Sequence, residues 1–154
     1  MLEIRMSKPG DAEYVAAHLR EEDRNEILAL GLPPEAAVKG SVAGSDVSYT
    51  ALLDGIPVMV FGVNLPAWKN IGEIWALGTP GCNKIAKSMV KRTKGILGKL
   101  LAICPAMENW CDARYEKSIK WLRILGFTVD APAPYGVNGE LFCHITIRRA
   151  DICA

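Results

Sequence analysis

Between residues 78 and 84 the chain reads Gly-Thr-Pro-Gly-Cys-Asn-Lys, just ahead of a long stretch of helical periodicity. Exposed N–H donors, an amide and a lysine at a helix start can hold a phosphate, because the positive end of the helix dipole favours an anion there. Gly81, Asn83 and Lys84 are therefore the candidate anion-binding residues. Pro80 removes one N–H donor from the same turn, and the plainer reading is a glycine turn followed by an asparagine or threonine cap.

Other reactive residue types offer less. The five cysteines, Cys82, Cys104, Cys111, Cys143 and Cys153, contain no Cys-x-x-C, and His18 and His144 are the only histidines, so no zinc-type spacing exists. Buried thiols in a reducing compartment are the expectation. The nucleophile-elbow form Gly-x-Ser-x-Gly is absent. Cys143 adjoins His144, but alternation along a strand sends the two to opposite faces, which argues against a Cys-His hydrolase. His144 reads as a hydrogen-bonded structural residue of a strand. Asp112 and Glu108 sit around one further strand, Asp112 as a cap for the helix that follows.

These residues need elements to position them. Leu2 to Met6 alternates apolar and charged residues, and Ser7-Lys8-Pro9-Gly10-Asp11 supplies a turn and a cap for a helix over 12–19. Helices follow over 21–30 and 34–42. Two apolar runs between Ser48 and Val63 flank Asp54-Gly55, the dipeptide of a type I′ hairpin. A strand at 71–77 leads through the glycine turn into the longest helix, 84–101, with Ile85, Met89, Ile96 and Leu100 on its apolar stripe. A strand at 107–111 and a helix ending at Leu125 come next. In that helix Ile119, Leu122 and Leu125 form the stripe, widened by Trp121 and Ile124, and Gly126 stops it with Phe127 packing back beneath. Strands at 127–130 and 141–148 close the chain, interrupted by Pro132 and Pro134. The order gives a mixed α/β fold around a central sheet.

Composition narrows the function classes. The chain has 154 residues, enough for one domain with a core that needs no disulfide or metal. Every apolar run is interrupted before the length of a membrane span, and the start alternates like a strand, not like a signal peptide; a soluble, intracellular protein is expected. Net charge is +1, so the molecule as a whole is no basic nucleic-acid binder. The helix 84–101 is the exception, with six cations and no acid. Its lack of aromatics disfavours base stacking, and a nucleic-acid-binding module built on it ranks third among the functional readings. Exposure of Pro66 and Trp68 in the loop after the hairpin would mark a partner surface.

The element order resembles the GNAT superfamily of acyl-CoA N-acyltransferases over nearly the whole chain. The runs Glu108-Asn-Trp-Cys-Asp-Ala-Arg114, Ser118-Ile-Lys-Trp-Leu122 and Leu125-Gly-Phe127, with Trp75-Ala-Leu-Gly-Thr79 and 134–142, are similar to GNAT-like proteins of short-tailed phages, the internal virion protein A family. The resemblance implies a single GNAT-like domain over 1–154 and, if active, acetyl-CoA or another acyl-CoA as cofactor. It further implies Thr79, Gly81, Asn83 and Lys84 as cofactor-binding residues, Glu73 as general base and Tyr115 as the aromatic nearest the usual proton donor. It also implies a virion or host protein partner, and a place in the host cytoplasm or the virion. Two departures weigh against ordinary catalysis. The Arg/Gln-x-x-Gly-x-Gly/Ala loop of the superfamily is replaced by the turn above, and Leu122 stands where many members carry the proton-donating tyrosine. The expectation is a degenerate or weak acyltransferase serving virion assembly or infection; the alternative is an active N-acetyltransferase acting on a primary amine.

Overall fold

The computed structural model describes residues 1–66, 68 and 70–152, with only the backbone of Asp151 and Ile152. The elements run β1 (Leu2–Met6), α1 (Asp11–Ala17), α2 (Glu21–Ala29), α3 (Pro34–Gly44), β2 (Val47–Leu53), β3 (Ile56–Asn64), β4 (Ile71–Gly78), α4 (Cys82–Ile103), β5 (Ala106–Asp112), α5 (Glu116–Leu125), β6 (Thr128–Val129), β7 (Ala133–Pro134), β8 (Leu141–Arg148) and α6 (Arg149–Ile152). The strands form a mixed sheet of order β1-β2-β3-β4-β5-β8-β6, with β7 beside β8. The chain divides into two compact units, Met1–Asn64 with Ile74–Ile85, and Leu65–Glu73 with the residues from Ala86 onward.

In the first unit β1, β2 and β3 are antiparallel. The turn at Asp54-Gly55 has φ of 51° and 80°, the two left-handed residues that a type I′ hairpin requires. Leu52 faces Pro57 while Ala51 faces Met59, so Val58 is an extra residue bulged from the ladder. The bulge lies next to Pro57, which has no N–H to give a regular ladder. Val15, Ala16, Leu19, Ile27, Val38 and Val60 make the core of this unit, with Trp75 and Leu77 of β4 packed against it.

Asp11 is not the cap of α1. Gly10 holds that position at φ 96°, and Asp11 is the first helical residue, buried against Arg5 at 2.7 and 3.1 Å and Thr50 Oγ1 at 2.8 Å. A carboxylate one residue inside the helix still complements the dipole, but here it ties α1 to β1 and β2.

In the second unit, the start of β4 pairs in parallel with β5, and β8 lies antiparallel between β5 and β6. The buried line of α4 is Ile85, Met89, Leu97, Leu100 and Leu101, with Ile96 only half-buried. Gly126 closes α5 at φ 109°, and Phe127 is buried with its N–H on the Leu122 carbonyl. Ile119 and Leu125 are buried in α5, whereas Ile124 is exposed, so the apolar stripe is narrower than its composition implies. The strand expected at 127–130 is reduced to Thr128–Val129; the Phe127 N–H is spent on the Leu122 carbonyl that closes α5. Among the described residues no helix is long and apolar enough to cross a membrane.

Candidate functional site

Strand β4 ends in the first unit at Gly78, and the turn from Gly78 to Lys84 is held from two directions. The Gly78 N–H donates to Asp23 Oδ2 at 2.7 Å and the Gly78 carbonyl accepts from the Arg20 N–H at 2.9 Å. From β3, the bulged Val58 presents its carbonyl to the Thr79 N–H at 2.9 Å. Asp23 and Arg20 are a buried pair, with Nε to Oδ2 at 2.8 Å and Nη2 to Oδ1 at 3.2 Å. Burial pushes the Asp23 carboxyl up, against the pull of the guanidinium and the Gly78 N–H. Burial also works against the Arg20 charge, yet Asp23 outweighs it and holds the guanidinium above its ordinary range. Arg20 Nη1 reaches Asn83 Oδ1 at 3.3 Å, joining the start of α2 to the first turn of α4. Sequence reasoning missed both residues. The signal that could have found them is the Arg-x-x-Asp spacing at the start of an acid-rich helix.

The turn closes on itself. Gly81 N–H donates to Thr79 Oγ1 at 3.2 Å, Cys82 N–H to the Thr79 carbonyl at 3.0 Å, Asn83 N–H to that of Pro80 at 3.3 Å, and Lys84 N–H to that of Gly81 at 3.1 Å. Thr79 is buried and is used on both its N–H and its hydroxyl. Gly81 is required by packing: a Cβ there would meet Val58 Cγ1 at 2.8 Å. A Cβ on Gly78 would meet Cys82 Sγ at 2.7 Å. Cys82 is buried and its thiol is pushed up by that burial. What remains for a ligand are the exposed side chains of Asn83 and Lys84 on a first turn that carries no acid.

The other two candidate residues lie in the second unit. Glu73 is exposed on β4 and faces Glu108 across the parallel register. Tyr115 is the half-buried N-cap residue of α5, with the Arg114 guanidinium 5.4 Å from its ring centre. Four residues of β5 separate the level of Glu73 and Glu108 from Asp112, about 13 Å of strand, and Tyr115 lies beyond it. Asp112 does not cap α5. It is fully buried and accepts from Arg114 N–H and Nε at 3.0 Å and from Nη2 at 2.7 Å. Those hydrogen bonds hold the Arg114 guanidinium above its ordinary range.

His144 stands between two carboxylates, Nε2 at 2.8 Å from Glu108 Oε1 and Nδ1 at 3.4 Å from Asp130 Oδ2, with its ring 4.9 Å from Trp110. Tyr135 stacks on the same Trp110 at 4.3 Å. The histidine thus ties β5, β8 and the segment after β6 together, as its place in a strand implies. Cys104, Cys111 and Cys143 are buried like Cys82, and Cys153 lies outside the described residues. No cluster of three or more His, Cys, Asp or Glu among the described residues is arranged to hold a metal ion. Of the two loop residues, Trp68 is 82% exposed while Pro66 is buried.

No family model matches the chain, and neither does any curated protein sequence. Solved structures do. Spermidine N-acetyltransferase from Vibrio cholerae, in complex with CoA and spermine, aligns over 99% of this chain and 98% of its own at a TM-score of 0.70 and 11% identity. A GNAT-family acetyltransferase from Bacillus anthracis aligns over 97% and 95% at 0.69 and 15% identity. The ribosomal-protein-S18-alanine N-acetyltransferase of Escherichia coli aligns over 96% and 94% at 0.67 and 10% identity. The chain therefore has the fold of the GNAT acetyltransferases, a mixed sheet flanked by helices as expected from its sequence. At such identities the likeness establishes the fold and leaves the activity to the residues of the site.

Proposed function

We propose that this protein keeps the GNAT scaffold with weak or lapsed acyl-CoA N-acyltransferase chemistry. The observation that carries the reading is the turn before α4: the Gly81, Cys82, Asn83 and Lys84 N–H groups are engaged within the turn and Pro80 has none. A pyrophosphate would have to draw each of those donors out of an existing hydrogen bond, which removes much of the advantage of a helix N-terminus. Leucine at 122 supplies no proton to a leaving thiolate. The finer reading, a role in virion assembly or infection with a virion or host protein partner, rests on the resemblance of residues 108–127 to the phage proteins.

One observation favours the active alternative. Lys84 and Asn83 are exposed at an acid-free helix start, so in charge and donor type they suit the phosphates of a CoA even though the backbone donors are engaged. Acyl-CoA would supply the activated acyl group. Lys84 and Asn83, with Gly81 and Thr79 shaping the turn, would hold its phosphates. Glu73 would take the proton of a primary ammonium and Tyr115 would hand one to the leaving group, each through an intervening group.

Calorimetry with acetyl-CoA tests the proposal. The lapsed reading expects no binding tighter than about 1 mM. Micromolar binding that disappears in Lys84→Ala and Gly81→Asp would overturn the lapsed reading.

A further inference from the structure

We infer that α4 and α5 together form a docking surface for the phosphate backbone of duplex nucleic acid, a function separate from any acyl transfer. Nine of the 18 lysines and arginines lie on these two helices, against one of the 17 carboxylates, Glu116. The two helices thus carry a formal charge of +8 in a chain whose total is +1. Long-range attraction depends on this separation of sign, not on the total.

The tertiary structure makes one surface of two helices. Trp121 Nε1 donates to the Ala86 carbonyl at 2.9 Å, so α5 lies against the beginning of α4 within the second unit. Lys117 lies one turn before Trp121 in α5 and Lys87 follows Ala86 in α4, so the hydrogen bond joins the two cation-bearing helices at a point flanked by a lysine of each. Lys87, Lys91, Lys94, Lys117 and Lys120 are all exposed, and no carboxylate of the described residues lies within ion-pair distance of any of them.

The composition of the face selects the partner. A membrane-surface helix needs an apolar face to insert, and that of α4 is spent on the protein's own interior through Met89, Leu97, Leu100 and Leu101. A protein partner needs an apolar or aromatic anchor at the centre of its interface, and the cationic face of α4 offers only Ser88 and Gly95 between its lysines. Small residues between cations permit close approach of a phosphate backbone. The absence of an exposed aromatic among them favours a duplex over unstacked single strands.

The test is fluorescence anisotropy of the full chain with a labelled duplex DNA across about 50 to 200 mM salt. Five phosphate contacts at about 0.9 each give a slope of log affinity on log salt of roughly −4 to −5. The triple variant Lys87→Glu, Lys91→Glu, Lys94→Glu should weaken binding at least about tenfold and flatten the slope. The arginine counterparts at the same positions should retain both, which separates lost charge from lost fold. Absence of binding at the lowest salt, unchanged binding by the glutamate variant, or tighter binding to phosphatidylserine vesicles or to polyglutamate than to the duplex would each overturn the inference. Lys84 is left intact, so the outcome is independent of acyl-CoA binding.

Discussion

Val58 and Thr79 are joined by a 2.9 Å hydrogen bond from the Thr79 N–H to the Val58 carbonyl, and the bulge beside Pro57 is what leaves that carbonyl free of the hairpin ladder. The side chain of the same valine fills the space in front of Gly81. One irregular residue in β3 thereby sets the course of the turn that opens α4.

The packing of Val58 on Gly81 predicts a coupled pair of substitutions. Gly81→Ala forces a contact at 2.8 Å with Val58 Cγ1 and should cost about 1–3 kcal/mol. In Val58→Ala the nearest valine atom left to that methyl is Cβ at 3.6 Å, an ordinary contact. Denaturant unfolding of both single variants and the double should show a favourable interaction energy of about 0.5 kcal/mol or more. Strict additivity would mean that the turn is positioned by something other than Val58.

Two further glycines should respond in opposite directions. Gly78→Ala would place Cβ 2.7 Å from Cys82 Sγ and 3.2 Å from the Val58 carbonyl, and should destabilise by about 1–3 kcal/mol. Gly95 lies in the exposed middle of α4 with nothing within 4 Å, so Gly95→Ala should stabilise by about 0.5–1 kcal/mol. Thermal unfolding by circular dichroism reads both.

Asp23→Ala should be among the most destabilising single changes, about 3–5 kcal/mol, because it leaves the Arg20 guanidinium buried without its carboxylate and the Gly78 N–H without an acceptor. Replacing both Arg20 and Asp23 by apolar residues should cost less than Asp23→Ala alone. Urea midpoints of the three variants decide the point.

Acid stability should depend on Asp11. Burial alone would raise its carboxyl, but the hydrogen bond from Arg5, with those from Lys8 N–H and Thr50, takes it below the ordinary 3.8. A folded pKa below the unfolded one means stability that is present above 3.8 and lost as pH falls through the lower folded value. Asp11→Asn should therefore unfold with less pH dependence below pH 3.8 than the unaltered chain, followed by urea denaturation at successive pH values.

Cys82 should be inert in the folded protein. Burial raises its thiol and hides it beneath Gly78. Iodoacetamide at mild alkaline pH should leave Cys82 unmodified in peptide mapping until denaturant is added. Rapid native labelling would show that the turn opens.

The tertiary structure corrected the sequence where burial decides which partner a carboxylate takes. The Asp54-Gly55 hairpin, the long amphipathic α4 and the Gly126 stop were legible because each depends on neighbours within a few residues: two left-handed φ values, a repeat every three or four positions, a residue without Cβ. Asp11 and Asp112 each sit where a cap belongs, yet each is a buried carboxylate spent on an arginine nearby in sequence, Arg5 and Arg114, and Asp11 also on Thr50 in β2. Local spacing could not distinguish the two uses of a carboxylate.

For the candidate site the same division holds. Sequence alone determined that Pro80 interrupts the donors before α4, that Leu122 brings no proton, and that α4 carries cations without an acid. Only the tertiary structure decided that Arg20 and Asp23 hold the turn, that Val58 packs against Gly81, and that a Trp121 hydrogen bond joins α5 to the beginning of α4. Composition and period are written into short stretches of chain, whereas a hydrogen bond between residues 35 or 55 positions apart exists only once the sheet and helices have brought its two ends together.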